Sequence, residues 1–185
     1  MDEPAETLEC NAVVLRRWRS TEADVVYRMV DESLEHLRPW MPWVAEHSRE
    51  RSAEFAARCE EKWASGSAYT YAITFDATPV GSCGLVRRIG VGGLEIGYWL
   101  HPGYTGRGLA TSAAAALTVQ GFELSGVDRI EIIHDEANPA SGAVPKRLGF
   151  THVETRPATV PRAPSDTGLD VVWRMEHPEF LQRRW

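Results

Sequence analysis

The sequence predicts an α/β protein of the α+β kind, built on one mixed, mostly antiparallel central sheet with helices on both faces. Three observations carry this. Residues 69–100 read as three β-rich runs separated by short turns, which is a meander. An alanine-rich helical stretch then leads to the short apolar run Arg129–His134, and a strand-helix-strand crossover of that length joins a parallel pair. The rest of the chain supplies helical patterning before the meander and strands after the last helix.

At 185 residues the chain suits one domain spanning 1–185. A formal net charge of −6 argues against nucleic acid as a partner, which would need a basic face, and suits cationic ligands. Cys10, Cys59 and Cys83 are odd in number and widely spaced, with no CxxC, so reduced thiols are expected and no metal. The opening MDEPAE is too acidic and polar for a signal peptide, and no apolar run reaches membrane-spanning length. The expectation is a soluble, cytoplasmic protein with no membrane partner.

Ala12–Trp18 reads as the first strand. Ser20 or Thr21 is the expected N-cap of a helix whose apolar face is Val25, Val26, Met29 and Val30. Pro39 and Pro42 break the next segment, His36–Trp43, and put Trp40, Met41 and Trp43 on a stiffened loop. Such aromatics line a binding cavity or cap the core, and both readings stand. A second helix runs from about Arg49 to Ala64.

The meander follows as Tyr69–Phe75, Pro79–Arg88 and Leu94–Leu100, with turns at Asp76–Pro79 and Gly90–Gly93. The alanine-rich helix covers Gly108 to about Ser125, with Gly126 as its C′ residue. After Arg129–His134, Asn138–Ser141 caps a helix that runs through Leu148 and ends at Gly149. Thr151–Arg156 is a strand, Pro157–Asp170 a loop expected to be mobile, and Val171–Met175 the closing strand. His177 onward is a tail. Leu181–Trp185 leaves two arrangements open, docking on a second copy to give a homodimer, or fraying.

The stretch Ile96–Ala110 organises the chemistry. A strand, a turn punctuated by Gly106 and Gly108, and a helix N-terminus make an anion site from free backbone N–H groups and the helix dipole. The turn alone is equally compatible with an ordinary strand-to-helix loop. It is neither a Walker loop nor a dinucleotide fingerprint.

Thr105-Gly106-Arg107-Gly108-Leu109-Ala110 and Asn138-Pro139-Ala140-Ser141…Arg147-Leu148-Gly149-Phe150, on this order of elements, resemble the GNAT superfamily of acyl-CoA-dependent N-acyltransferases over nearly the whole chain. Leu34–Trp43 and Gly97-Tyr98-Trp99-Leu100 are similar to its Rim-type branch, whose named members acetylate N-terminal amines of ribosomal proteins. The resemblance implies a GNAT fold of about seven strands splayed at strands 4 and 5, Leu94–Leu100 and Arg129–His134. It implies acetyl-CoA as acyl donor. The Leu100 backbone would meet the pantetheine, the amides of Thr105, Gly106, Arg107, Gly108, Leu109 and Ala110 would hold the pyrophosphate, and Asn138 would fix the arm from the other side. Thr105 stands where the family motif has Arg or Gln, so the phosphates rest more on backbone N–H groups and on Arg107.

Direct acyl transfer needs a neutral amine, a donor for the oxyanion and a proton for the leaving thiolate, but no protein nucleophile, so Cys83 is expected to be core. Glu95, on a central strand, is the first candidate for base or amine-binding group; the alternative is a solvent-facing glutamate or one paired with Arg87 or Arg88. Where many GNAT members carry a tyrosine acid this chain has Pro145, and Rim-type members place a serine at the position of Ser141. Ser141 is therefore the candidate acid, against the alternative that it only bonds the backbone. His134 and Asp135 are outside candidates for the base, and Tyr98 is expected in the core with Ile96 and Leu100. Trp40 and Trp43 are the candidate acceptor contacts.

The favoured acceptor is a protein or peptide N-terminal amine. The alternatives are a small amine such as an antibiotic, polyamine or amino acid, and a non-catalytic acyl-CoA-binding module. An enclosed, acid-lined pocket would support the small amine.

Overall fold

The computed structural model describes residues 3–159 and 162–181. Its elements are β1 (Thr7–Cys10), β2 (Val13–Arg17), α1 (Ala23–Asp31), α2 (Leu34–Leu37), α3 (Arg49–Ala64), β3 (Ala68–Phe75), β4 (Thr78–Val86) and β5 (Gly93–Leu100). They continue with α4 (Leu109–Glu123), β6 (Arg129–Asp135), α5 (Pro139–Leu148), β7 (Thr151–Pro157), β8 (Leu169–Glu176) and α6 (His177–Leu181). The strands form one eight-stranded sheet in the order β1-β2-β3-β4-β5-β6-β8-β7. Every described neighbour pair is antiparallel except β5 with β6, which the α4 crossover makes parallel.

The α+β class and the mixed sheet are as the sequence predicts. The extra strand is β1, which pairs with β2 through a tight turn in which Asn11 adopts a φ of 53°. Asn can take that left-handed conformation at low cost, so the hairpin needs no glycine to announce it.

The splay is visible in the register. Pairing between β5 and β6 runs from Gly93↔Arg129 to Ile96↔Ile132 and stops there. Gly97 to Leu100 remain bonded to β4 on one side and have no strand on the other. A wedge-shaped gap therefore opens in the middle of the sheet, bordered by free backbone N–H and C=O groups.

Alternation sorts the sheet into two faces. Leu15, Tyr71, Ile73, Leu85, Leu94, Ile96 and Ile130 point to one core, where α4 packs. That helix is buried almost all round, and small residues let it settle close: a Cβ on Gly121 would lie 2.7 Å from Ile130. Trp18, Ala72 and Trp99 point the other way and pack with Val26, Met29, Val30 and Cys59 of α1 and α3. Cys83 is buried, as expected, and burial pushes its thiol well above the usual range.

Three local expectations are corrected. The first helical segment begins as a 3-10 turn, Ser20–Glu22, and neither Ser20 nor Thr21 caps it. Glu22 turns back to accept from the Arg19 N–H at 3.0 Å, while the Ser20 N–H is taken by Glu60. Gly126 is left-handed, but α4 ends earlier, at an extended Leu124, so Gly126 shapes the following turn instead. In the stretch expected to be mobile, the described residues are anchored. The Ser165 N–H donates to the Pro39 carbonyl at 3.0 Å, Ala158 N–H to the Gly168 carbonyl at 2.9 Å, and Ala163 is buried. Residues 160 and 161 lie outside the described residues, as do 182–185 of the tail, whose described start forms α6.

Candidate active site

The strand β5 ends at Leu100, and the Nδ1 of the next residue, His101, accepts from the Gly103 N–H at 3.1 Å and so caps a single 3-10 turn, Pro102–Tyr104. Thr105 Oγ1 donates to the Pro102 carbonyl. Gly106 and Gly108 then sit at φ 74° and 75°, a region that side chains with a Cβ disfavour. A Cβ at either would meet nothing within 4 Å, so the glycines serve conformation and open space rather than packing. The backbone N–H groups from Gly106 to Thr111 have no hydrogen-bond acceptor among the described residues. They converge at the N-terminus of a fifteen-residue helix. That is the arrangement a diphosphate fills.

Arg107 is exposed and engaged locally: it donates to the Gly103 carbonyl at 3.2 Å and stacks 5.3 Å from the Tyr104 ring. Leu100 and the edge before it border the gap on the β5 side. On the other side, Asn138 lines the cavity and caps α5, its Oδ1 accepting from the Ser141 N–H at 3.1 Å, which leaves Nδ2 with no bond among the described residues. These residues suit the phosphates and the extended arm of a coenzyme A molecule: orphan amides for the one, an unpaired strand edge for the other.

Tyr98 projects to the same face as Ile96 and Leu100, as the alternation requires, but its hydroxyl donates to the Ser141 carbonyl at 2.8 Å. It ties β5 to α5 across the gap. Burial pushes the Tyr98 phenol far above its ordinary range, so it stays a donor. Ser141 uses its backbone N–H and C=O in these contacts, and its hydroxyl has no bond among the described residues.

A cavity of about 770 Å³ leads from the surface into the gap. It brings together Trp40, Trp43, Glu95, Asn138 and Ser141, five of the residues singled out from the sequence. Trp43 is 46% exposed at its lip, 6.0 Å from Trp99. Glu95 is 6% exposed, and the Arg88 guanidinium grips both of its oxygens, Nε donating to Oε2 at 2.7 Å. The pairing with Arg88 is therefore the arrangement found, and it raises the Arg88 pKa.

His134 is structural. Trp173 Nε1–H can only donate, and it does so to His134 Nε2 at 3.0 Å, so the proton of the neutral ring sits on Nδ1 and donates to the Asp135 carbonyl at 2.7 Å. A Cβ on Gly142 would lie 2.7 Å from that ring, so the ring is wedged between α5 and β8.

Asp135 is an anchor. It accepts from the Ala137 N–H, the Thr167 hydroxyl and the Gly168 N–H. Burial works to raise its pKa, but these hydrogen bonds outweigh it and hold the carboxyl below the usual aspartate range. The anchor is fully present at neutral pH and is lost as pH falls through that lowered value. Asp135→Asn is expected to lower Tm by about 2–4 °C at pH 7, and the difference from wild type should shrink and vanish as the pH falls through that lowered value in a melting series. A gap between the two proteins that persists in acid would mean the carboxylate is not the tether.

Asp170 was not singled out. It lies at the start of β8, opposite Asp135 on one side and Arg156 on the other, and lines the cavity. No hydrogen bond to its carboxylate exists among the described residues. A lone aspartate between a loop and a strand has no sequence signal; only the convergence of β6, β7 and β8 places it.

The family described as "Acetyltransferase (GNAT) domain" matches residues 12–151. A "Putative ribosomal N-acetyltransferase YdaF" from Bacillus subtilis (strain 168) is 39% identical over 56 residues, which is 30% of this chain and 31% of that protein, so the match spans about a third of that relative. The solved structure described as RimL, ribosomal L7/L12 alpha-N-protein acetyltransferase in complex with coenzyme A, superposes with a TM-score of 0.85 at 19% identity, covering 94% of this chain and 99% of that one. Mycobacterium smegmatis RimJ in complex with CoA-disulfide gives 0.81 at 23% identity, over 94% and 87%. The microcin C7 self-immunity acetyltransferase MccE, in complex with acetyl-CoA and AMP, gives 0.81 at 18%, over 90% and 93%. At such identities the superpositions speak for the fold.

Proposed function

The chain belongs to the GNAT family of acetyltransferases, and from that premise we propose that it transfers the acetyl group of acetyl-CoA to the N-terminal amine of a peptide or protein. The observation that carries this is the shape of the cleft. It opens to the surface beside Trp40 and Trp43, so a chain terminus can enter while the rest of the acceptor stays outside. The exposed Trp43 offers an apolar contact to the residues behind the terminus. The RimL structure, that of a ribosomal L7/L12 alpha-N-protein acetyltransferase, supports the same choice.

The donor supplies an activated acetyl group and a thiolate leaving group. The chain's own residues do the rest. The amides from Gly106 to Ala110 hold the pyrophosphate, since the Thr105 N–H already donates to the Pro102 carbonyl at 3.4 Å, and the Leu100 edge and Asn138 hold the arm. Ser141 donates its hydroxyl proton toward the leaving sulfur. Glu95, locked to Arg88, fixes the charge of the wall that faces the amine.

A second reading has one observation in its favour. Five carboxylates (Glu46, Glu95, Asp135, Asp166, Asp170) line the cleft against two arginines (Arg88, Arg156), which suits a small amine with several positive charges. A thiol-release assay with acetyl-CoA separates the two. Hexapeptides beginning with Ser or Ala should be acetylated on the α-amine, located by tandem mass spectrometry, while their N-terminally blocked forms stay unmodified. Turnover confined to aminoglycosides, polyamines or amino acids would overturn the peptide reading.

A further inference from the structure

We propose that Asp170 is the carboxylate that receives the acceptor: it binds the incoming ammonium in the cleft and takes its proton before attack. This deepens the acetyltransferase reading of the site and rests on it.

The argument starts from what the other cleft carboxylates already do. Glu46 is paired with Arg51 at 2.7 Å. Glu95 is held by Arg88. Asp135 accepts from Ala137, Thr167 and Gly168. Asp166 accepts from the Ala163 N–H at 2.7 Å. Asp170 alone lines the cavity with no hydrogen bond among the described residues, so its lone pairs are the ones available to a ligand.

Its place in the sheet is also right. Glu95, Glu131 and Arg174 follow one another across β5, β6 and β8, which sets the face of the sheet on which the cleft lies. Asp170 is on that face, four residues along β8 from Arg174, beside the end of β6 that flanks the gap. The charged groups around it are Arg156 on β7, Asp135 on β6, Glu95 on β5, Arg88 in the turn after β4 and Asp166 in the preceding loop. Burial raises its pKa, Arg156 opposes this, and the three neighbouring carboxylates reinforce it. A carboxyl that holds its proton more readily is a better acceptor for one.

The step balances. The ammonium gives one proton to Asp170 and becomes a neutral amine. The nitrogen forms a bond to the acyl carbon, and the carbon–sulfur bond breaks. The second nitrogen proton replaces the one that Ser141 passes to sulfur, and the Asp170 proton leaves to solvent.

Ethylamine serves as probe alongside a Ser-initiated hexapeptide, because Asp170 is to meet the amine itself and not the remainder of the acceptor. Asp170→Asn keeps the shape and removes the charge. It should lower kcat/KM for ethylamine by about a hundredfold, with acetyl-CoA affinity by calorimetry within twofold of wild type and an unchanged Tm. Asp170→Glu should recover part of the rate. An ethylamine rate in Asp170→Asn within threefold of wild type would overturn the proposal. Loss with ethylamine in a protein that ignores the peptide would leave Asp170 in its role and remove the peptide reading alone.

Discussion

Gly108→Val is expected to raise the acetyl-CoA dissociation constant about thirtyfold, since losing roughly 2 kcal/mol of amide-to-phosphate bonding corresponds to that factor. Gly108 sits at φ 75° immediately before α4, and its conformation aims the N–H groups of the turn and the first helical turn at one point. A β-branched residue is disfavoured there by about 1–2 kcal/mol, so the turn relaxes and the amides diverge. The donor's phosphates then meet fewer charge-assisted hydrogen bonds at once. Gly126→Val is the control. Gly126 has the same backbone conformation, φ 76°, with nothing near its Cβ, but lies beyond the far end of the helix. Both variants should lose comparable thermal stability, and only Gly108→Val should lose calorimetric affinity for coenzyme A. Equal affinities in the two proteins would show that the turn does not hold the phosphates.

Ser141→Ala should slow kcat about a hundredfold, the lower range of a general-acid contribution, while the KM for acetyl-CoA stays within twofold. The substitution is unusually clean. The contacts that fix Ser141, its N–H to Asn138 and its carbonyl to Tyr98, belong to the backbone and survive in alanine. Only the hydroxyl is removed, so Tm should not move. A variant that turns over at the wild-type rate would mean that solvent protonates the thiolate, and the serine would then be a bystander.

The turn and helix start of the candidate donor site were legible in the sequence because they depend on backbone. Two glycines in a strand-to-helix turn, and an Asn-Pro helix start, have the same geometry wherever they occur. The element boundaries of α3 and α5 were readable for the same reason: Ser48 and Asn138 cap them, and Gly149 closes α5. β1 escaped because Thr7–Cys10 is short, half exposed and turned by an asparagine. The acceptor side escaped more fully. The Arg88 grip on Glu95 was one of several arrangements open to a strand glutamate, and the sequence does not rank them. Asp170 matters only because three strands and a loop bring it to a shared wall, and no local pattern encodes such a meeting.

The cleft's two lips come from distant parts of the chain, residues 39–46 and the described residues between 158 and 170, and the Ser165 N–H to Pro39 carbonyl bond joins them. The proposed grip on the donor, by contrast, lies on one continuous run from β5 to α5. The second lip is tied to that run through Asp135, which accepts from Thr167 and Gly168, whereas substitutions in the first lip leave the run's backbone in place, and surface loops tolerate them. Mutation can therefore explore new targets at little risk to the reagent supply.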